Sequence, residues 1–182
     1  MSVLVRSNQT INDPQWYAIR VRSRYEKRVY RDLKDANYTV SLPLISMSRE
    51  WSDRRKLVEL PLFRGYVFVK IHLHEAYYPV LQTGGVVQFV GHTGRPIPIP
   101  SQQMYWLDLI LSQGNITPRS QYPRGSEVKV THGPLYGLQG TVLNTKSQSR
   151  LVVWFDAIMQ GLEVEIDQTW LMPLSNKNLT YL

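Results

Sequence analysis

Four histidines, His72, His74, His92 and His132, are the first residues to test for chemistry. His72 and His74 sit two apart at the end of a predicted strand, so both side chains would share one face and could share a metal ion. No third ligand follows at a recognisable spacing, and the pair reads as solvated. The 182 residues contain no cysteine. That excludes disulfides, thiolate zinc sites and cysteine nucleophiles, and it fits a cytoplasmic protein. No glycine-rich loop ends in Lys-Ser or Lys-Thr, no dinucleotide fingerprint joins a strand to a helix, and no serine occupies a nucleophile elbow. The acids form no defensible acid–base pair. The expectation is a binding protein without catalytic residues, metal or cofactor.

Charge and aromatic residues then carry the reading. Residues 1–114 hold fifteen Lys and Arg against nine Asp and Glu, a net of +6, while residues 115–182 hold six against five, a net of +1. A polyanion on one side of the molecule fits that asymmetry. The cluster Arg49-Glu50-Trp51-Ser52-Asp53-Arg54-Arg55-Lys56 combines cations for phosphates with Trp51, a ring that can stack on an unpaired base. A solubilising edge hairpin explains the same residues equally well. The densest apolar stretch is Pro61-Leu62-Phe63-Arg64-Gly65-Tyr66-Val67-Phe68-Val69-Lys70-Ile71. Its β-branched and aromatic residues predict a core strand over Val67–Ile71. Gly65 allows a bend that would turn Phe63 and Tyr66 outward as a partner-binding surface.

These side chains need elements to position them. Trp16–Val21 predicts a first strand. Ser23 and Glu26 fit a capping box, and Val29, Leu33 and Ala36 mark the buried side of a helix ending near Asn37. The cations Arg24, Lys27, Arg28, Arg31 and Lys34 cover its other side and read as a solvated face. Tyr38–Leu44 predicts a strand, Glu75–Gln82 a short helix containing Pro79, and Val86–Val90 a covered strand. Arg95–Pro100 carries three prolines and is expected to be extended but outside any ladder. Ser101 caps a helix with Met104, Leu107 and Leu111 on one face. From Gly125 onward, short alternating segments with regular turns predict five strands of a small SH3-like β-barrel. No uncharged run approaches the length of a membrane span, and no apolar export signal opens the chain.

The fold class is therefore α+β. Residues 1–14 are expected to be a tail, 15–114 an α/β sandwich, 115–124 a linker, 125–174 the barrel and 175–182 a second tail.

Several motifs together resemble a family. They are Trp16-Tyr17, Pro61 to Val69, Gly84-Gly85-Val86-Val87-Gln88-Phe89-Val90, Pro96-Ile97-Pro98-Ile99 and the KOW-like Val128 to Val142. Over about residues 15–173 the chain resembles the NusG transcription elongation factors. The Arg49–Lys56 phrase makes it more similar to their specialised RfaH and UpxY-type antiterminator paralogues. The resemblance implies an N-terminal NGN domain that binds the clamp helices of the largest subunit of RNA polymerase, bridges the cleft over DNA and suppresses pausing or termination, on long polysaccharide-type operons for the UpxY type. By position it implies polymerase contacts at Trp16, Tyr17, Phe63 and Tyr66. It implies upstream or non-template DNA contacts at Arg49, Trp51, Arg54, Arg55 and Lys56, and a weaker contact to the opposite jaw at Tyr77 and Tyr78. In the KOW domain, Leu135, Tyr136, Ile158 and Met159 would meet a ribosomal protein or the termination factor Rho. Gly133, Pro134, Gly137 and Gly140 disfavour a helical alternative there, so strands are expected throughout. The implied protein is a cytoplasmic monomer without membrane contact. The competing reading is an RNA-binding KOW protein acting in ribosome assembly or translation.

Overall fold

A computed structural model describes residues 13–51, 54–92, 94–113, 116–119, 125–144 and 149–174. In chain order the first elements are β1 (Gln15–Val21), α1 (Glu26–Asp35), β2 (Thr39–Ser41), β3 (Leu44–Trp51), β4 (Arg54–Pro61) and β5 (Tyr66–Ile71). Next come α2 (Leu73–Leu81), β6 (Val86–Phe89), β7 (Gly91–His92), β8 (Arg95–Pro96), β9 (Pro98–Ile99) and α3 (Ser101–Gln113). The last are β10 (Ile116–Arg119), β11 (Ser126–Val130), β12 (Gln139–Asn144), β13 (Ser149–Phe155), β14 (Gln160–Ile166) and β15 (Leu171–Pro173). They group into two compact units, 1–42 with 65–100 and 43–64 with 101–182.

The first unit is built on the antiparallel order β2-β5-β1-β6, with β9 also pairing β1. Tyr17 lies opposite Val69 and Ile19 opposite Val67, which puts the odd residues of both strands on one face. That face buries Tyr17, Ile19, Val21, Val67, Val69 and Ile71 in one cluster with Val29 and Leu33 of α1 and Ala76 and Val80 of α2. Ala18 and Phe68, on the other face, are also fully buried. The Asn37 helix end is as the sequence suggests: its φ is +63°, a conformation Asn tolerates. The capping box is not formed. Tyr25 is the N-cap residue of α1, without a side-chain bond, and Glu26 has a different partner described below. Arg95–Pro100 does enter ladders, contrary to expectation. β8 pairs β7 and β9 pairs β1, in bridges of two residues that accommodate proline.

The second unit contains the β3–β4 hairpin, α3 and a six-stranded sheet in the order β10-β14-β13-β12-β11-β15. Strands occupy the region where they were expected. Ile116–Arg119, inside the stretch read as a linker, pairs with β14 at the sheet's edge, where Pro118 is admissible. Among the described residues no ladder joins β10 to β15, so the sheet is not closed on itself. Its buried side chains include Val130, Leu138, Leu151, Phe155, Leu162 and Val164. Gly133 has a φ of +79°, and a Cβ there would come within 2.4 Å of the Trp170 ring. Glycine is the residue that both conditions require. On α3, Met104 and Leu107 are buried as the sequence suggests, but the stripe continues through Ile110, and Leu111, expected on it, is only half-buried.

Candidate functional site

The bend at Gly65 is built by contacts on both of its polar atoms. Its φ is +81°, which glycine adopts without strain. Its N–H donates to Glu26 Oε1 at 2.9 Å, and its carbonyl accepts the Val21 N–H at 2.8 Å. Glu26 is only 6% exposed, so this hydrogen bond is what makes burial of its carboxylate tolerable. The bend is thereby fixed between the start of α1 and the end of β1.

The two rings beside that glycine have different fates. Tyr66 is half-buried at the start of β5, with Arg20 opposite it across the ladder. Phe63 does not turn outward. It is 1% exposed, and its ring packs edge-on against Phe155 with centroids 5.5 Å apart. A buried aromatic pair of this geometry gains about 0.5–1.5 kcal/mol beyond its burial, so the ring is satisfied within the chain.

Tyr17 is also interior. It faces the helices, its ring meets Phe89 edge-on at 6.2 Å, and burial pushes its phenol pKa up. Trp16 is half-buried on the opposite face, across from Lys70 and Ile99. Trp16 and Tyr66 therefore share a face, but Tyr66 is level with Arg20, four positions along β1. That separates them by about 13 Å. Within the first unit, Trp16, Tyr17 and Tyr66 therefore do not converge on a single patch.

The side chains of Arg49, Trp51, Arg54, Arg55 and Lys56 lie outside the described residues. The backbone register of their hairpin sets Arg49 opposite Lys56, Glu50 opposite Arg55 and Trp51 opposite Arg54. Tyr77 stacks on Phe89 at 5.0 Å and supports Tyr78 edge-on at 5.1 Å, leaving Tyr78 69% exposed. In the second unit, Leu135 and Ile158 are core residues, whereas Tyr136 and Met159 are exposed. No group of three potential metal ligands occurs among the described residues.

Two features escaped sequence reasoning. One is the Glu26 clamp on the Gly65 bend. The other is a cleft of about 450 Å³ between α3 and the sheet, lined by residues including Gln103, Trp106, Trp154 and Asp156. At its side the Gln103 Nε2 donates to the Trp154 carbonyl at 3.1 Å. No local sequence pattern announces either feature, because each joins segments distant in the chain.

A family model described as transcription termination factor nusG matches residues 14–107. The chain belongs to the NusG family. It is 28% identical over 172 residues to the transcription termination/antitermination protein NusG of Haemophilus influenzae, covering 87% of this chain and 93% of that protein. It is 26% identical over 168 residues to the NusG of Lactococcus lactis, covering 85% and 90% respectively. A solved structure showing domain interaction in Thermotoga maritima NusG superposes with a TM-score of 0.56 over 91% of this chain and 99% of that one, at 19% identity. That likeness speaks for a NusG-like fold. These family relatives are named as transcription factors, not as enzymes.

Proposed function

We propose that this NusG-family chain is a transcription elongation and antitermination factor that binds the clamp helices of bacterial RNA polymerase, bridges the cleft and suppresses pausing or termination. The observation that carries the reading is the family match over residues 14–107, which spans the clamped Gly65 bend and the Tyr66 and Trp16 side chains beside it. Half-buried rings on a rigid sheet suit a small protein interface, because aromatic anchors dominate interface energy. Phe63 joins that interface once its ring leaves Phe155. The basic hairpin Arg49–Lys56 faces upstream or non-template DNA, and Tyr78 is the exposed candidate for the opposite jaw. The second unit acts as a KOW domain of SH3-like type, with exposed Tyr136 and Met159 available to a ribosomal protein or Rho. The Arg49–Lys56 phrase favours a paralogue of the RfaH and UpxY type, acting on long polysaccharide-type operons.

The test is a pulldown of core RNA polymerase by the full chain. Tyr66→Ala combined with Phe63→Ala is expected to abolish capture, with Tyr66→Ala alone weakening it. Undiminished capture by a variant that retains native circular dichroism would remove the reading.

A further inference from the structure

The cleft beneath α3 in the second unit has no part in the proposed polymerase contact. Its floor is one face of the sheet. Glu127 lies opposite Thr141 in the β11–β12 ladder, and Thr141 opposite Val152 in the β12–β13 ladder. The three form a row across three strands, and Trp154, two residues along β13 from Val152, shares their face. Gln103 and Trp106 line the cleft from α3. The volume of about 450 Å³ falls in the range of small-molecule sites.

Charge gives the first indication of a ligand. Glu127 and Asp156 line the cleft, and among the described residues no Lys or Arg does. Both acids are exposed, and neither meets a cation within ion-pair distance among the described residues. Arg150, on the same face as Val152, is engaged by Glu163 at 2.7 Å and Glu165 at 3.9 Å. An acidic cleft stands out in a chain of net charge +7, and a cleft lined by one sign of charge concentrates the other.

Two further observations are independent of that charge. Trp106 and Trp154 are both half-buried, and indole is the ring that attracts cations most strongly. Trp154 lies over Gly161, its ladder partner, where a Cβ would come within 2.7 Å of the ring. The Gln103 bond to the Trp154 carbonyl ties α3 to the same strand. The other observation is Thr141, which is 8% exposed and whose hydroxyl makes no hydrogen bond among the described residues. Its methyl lies against Gly125, where a Cβ would come within 3.1 Å of it. A buried hydroxyl lining a cleft without a protein partner calls for one from a ligand.

The layout also selects the shape of that ligand. No group of three potential metal ligands occurs among the described residues, which argues for an organic cation. Asp156 follows Val152 by four residues and stands two strands away from Glu127. That separates the two acids by about 16 Å along the backbone surface, with Trp154 partway between them. A matching molecule carries cations at both ends and methylenes between.

We propose that this cleft binds a linear polyamine, with its end ammonium groups on Glu127 and Asp156, its chain along the two indoles and one N–H donated to the Thr141 hydroxyl. Isothermal titration calorimetry of the full chain with spermidine tests this. The net charge of +7 opposes unspecific association with a polycation, so saturable binding reports a site. One-to-one binding is expected. Glu127→Gln combined with Asp156→Asn keeps the shape of both side chains, and is expected to weaken binding about 3- to 30-fold. Trp106→Leu is expected to weaken it about 2- to 30-fold through loss of the ring. Putrescine, too short to reach both acids, is expected to bind more weakly than spermidine.

Absence of saturable binding overturns the proposal. So does unchanged affinity in the acid-pair variant, whose two positions are exposed and can be altered without disturbing the core. Displacement of spermidine by magnesium at equal charge means diffuse electrostatics and equally overturns it. Equal binding of tetraethylene glycol assigns the cleft to an uncharged chain and does the same. Polymerase enters none of these readouts, so the outcome is separate from that of the polymerase reading.

Discussion

Removing the contact between Phe63 and Phe155 should be felt twice, once in stability and once in partner binding. Both rings are 1% exposed and meet edge-on at 5.5 Å. Truncating either to Ala removes a fully buried ring and opens a cavity, at about 3–5 kcal/mol. The specific ring-on-ring share is smaller, about 0.5–1.5 kcal/mol, and appears as non-additivity in a double-mutant cycle. Urea unfolding of wild type, Phe63→Ala, Phe155→Ala and the double variant measures it. Phe155→Leu is the gentler perturbation, since it retains apolar bulk and should lose less than about 1.5 kcal/mol. If the Phe63 ring joins the polymerase contact, binding must first release it from Phe155. Weakening that pair by about 0.5–1.5 kcal/mol then tightens apparent binding by about 2- to 12-fold. Polymerase titration against labelled wild type and Phe155→Leu reads this directly. The reasoning is refuted if the cycle is additive within about 0.3 kcal/mol, or if Phe155→Leu binds polymerase no better than wild type.

The remaining predictions concern the second unit. Arg150 Nη1 lies 2.7 Å from Glu163 Oε1, and Glu163 is 3% exposed. Arg150→Met should therefore destabilise by about 2–3 kcal/mol by stripping a buried carboxylate of its cation, while Glu163→Gln should be milder because it removes the buried charge itself; chemical denaturation ranks the two. The Thr169 hydroxyl and backbone N–H both donate to Asp167 Oδ1, and the hydroxyl is the larger cause holding that carboxyl below its usual pKa. A depressed carboxyl contributes stability above its unfolded-state pKa and loses it as pH falls through the folded-state value. Thr169→Val should thus raise the Asp167 titration midpoint in carboxyl-carbon NMR and shrink the acid-side loss of stability.

Periodicity made much of the fold legible. Val29 and Leu33 announced the buried side of α1, and Asn37 marked its end through a backbone preference that is local. The alternation after Gly125 announced strands. What failed was whatever depends on a distant partner. Ser23 and Glu26 have capping-box spacing, yet the carboxylate is drawn to the Gly65 N–H, a competing donor that no window of a few residues contains. The proline pattern of Arg95–Pro100 argued against a ladder, but two-residue bridges tolerate it. Phe63 and Tyr66 were legible as special because they flank a glycine. Their directions were not, since the ring that covers Phe63 lies in β13. Tyr17 and Trp16, adjacent in a strand, had to point to opposite faces, so they could not both serve one seat.

The neck of the β3–β4 excursion has a consequence for how such chains diversify. The Leu62 N–H donates to the Pro43 carbonyl at 2.8 Å, closing the excursion at its base. Just outside it, Ser41 faces Phe68 in the β2–β5 ladder, so the flanking strands are paired independently. Residues 43–64 thus form a cassette that leaves and re-enters the chain at neighbouring points. Lengthening it, shortening it or grafting another in its place leaves the register of the first sheet untouched, so a new specificity can be acquired there without redesigning the first unit.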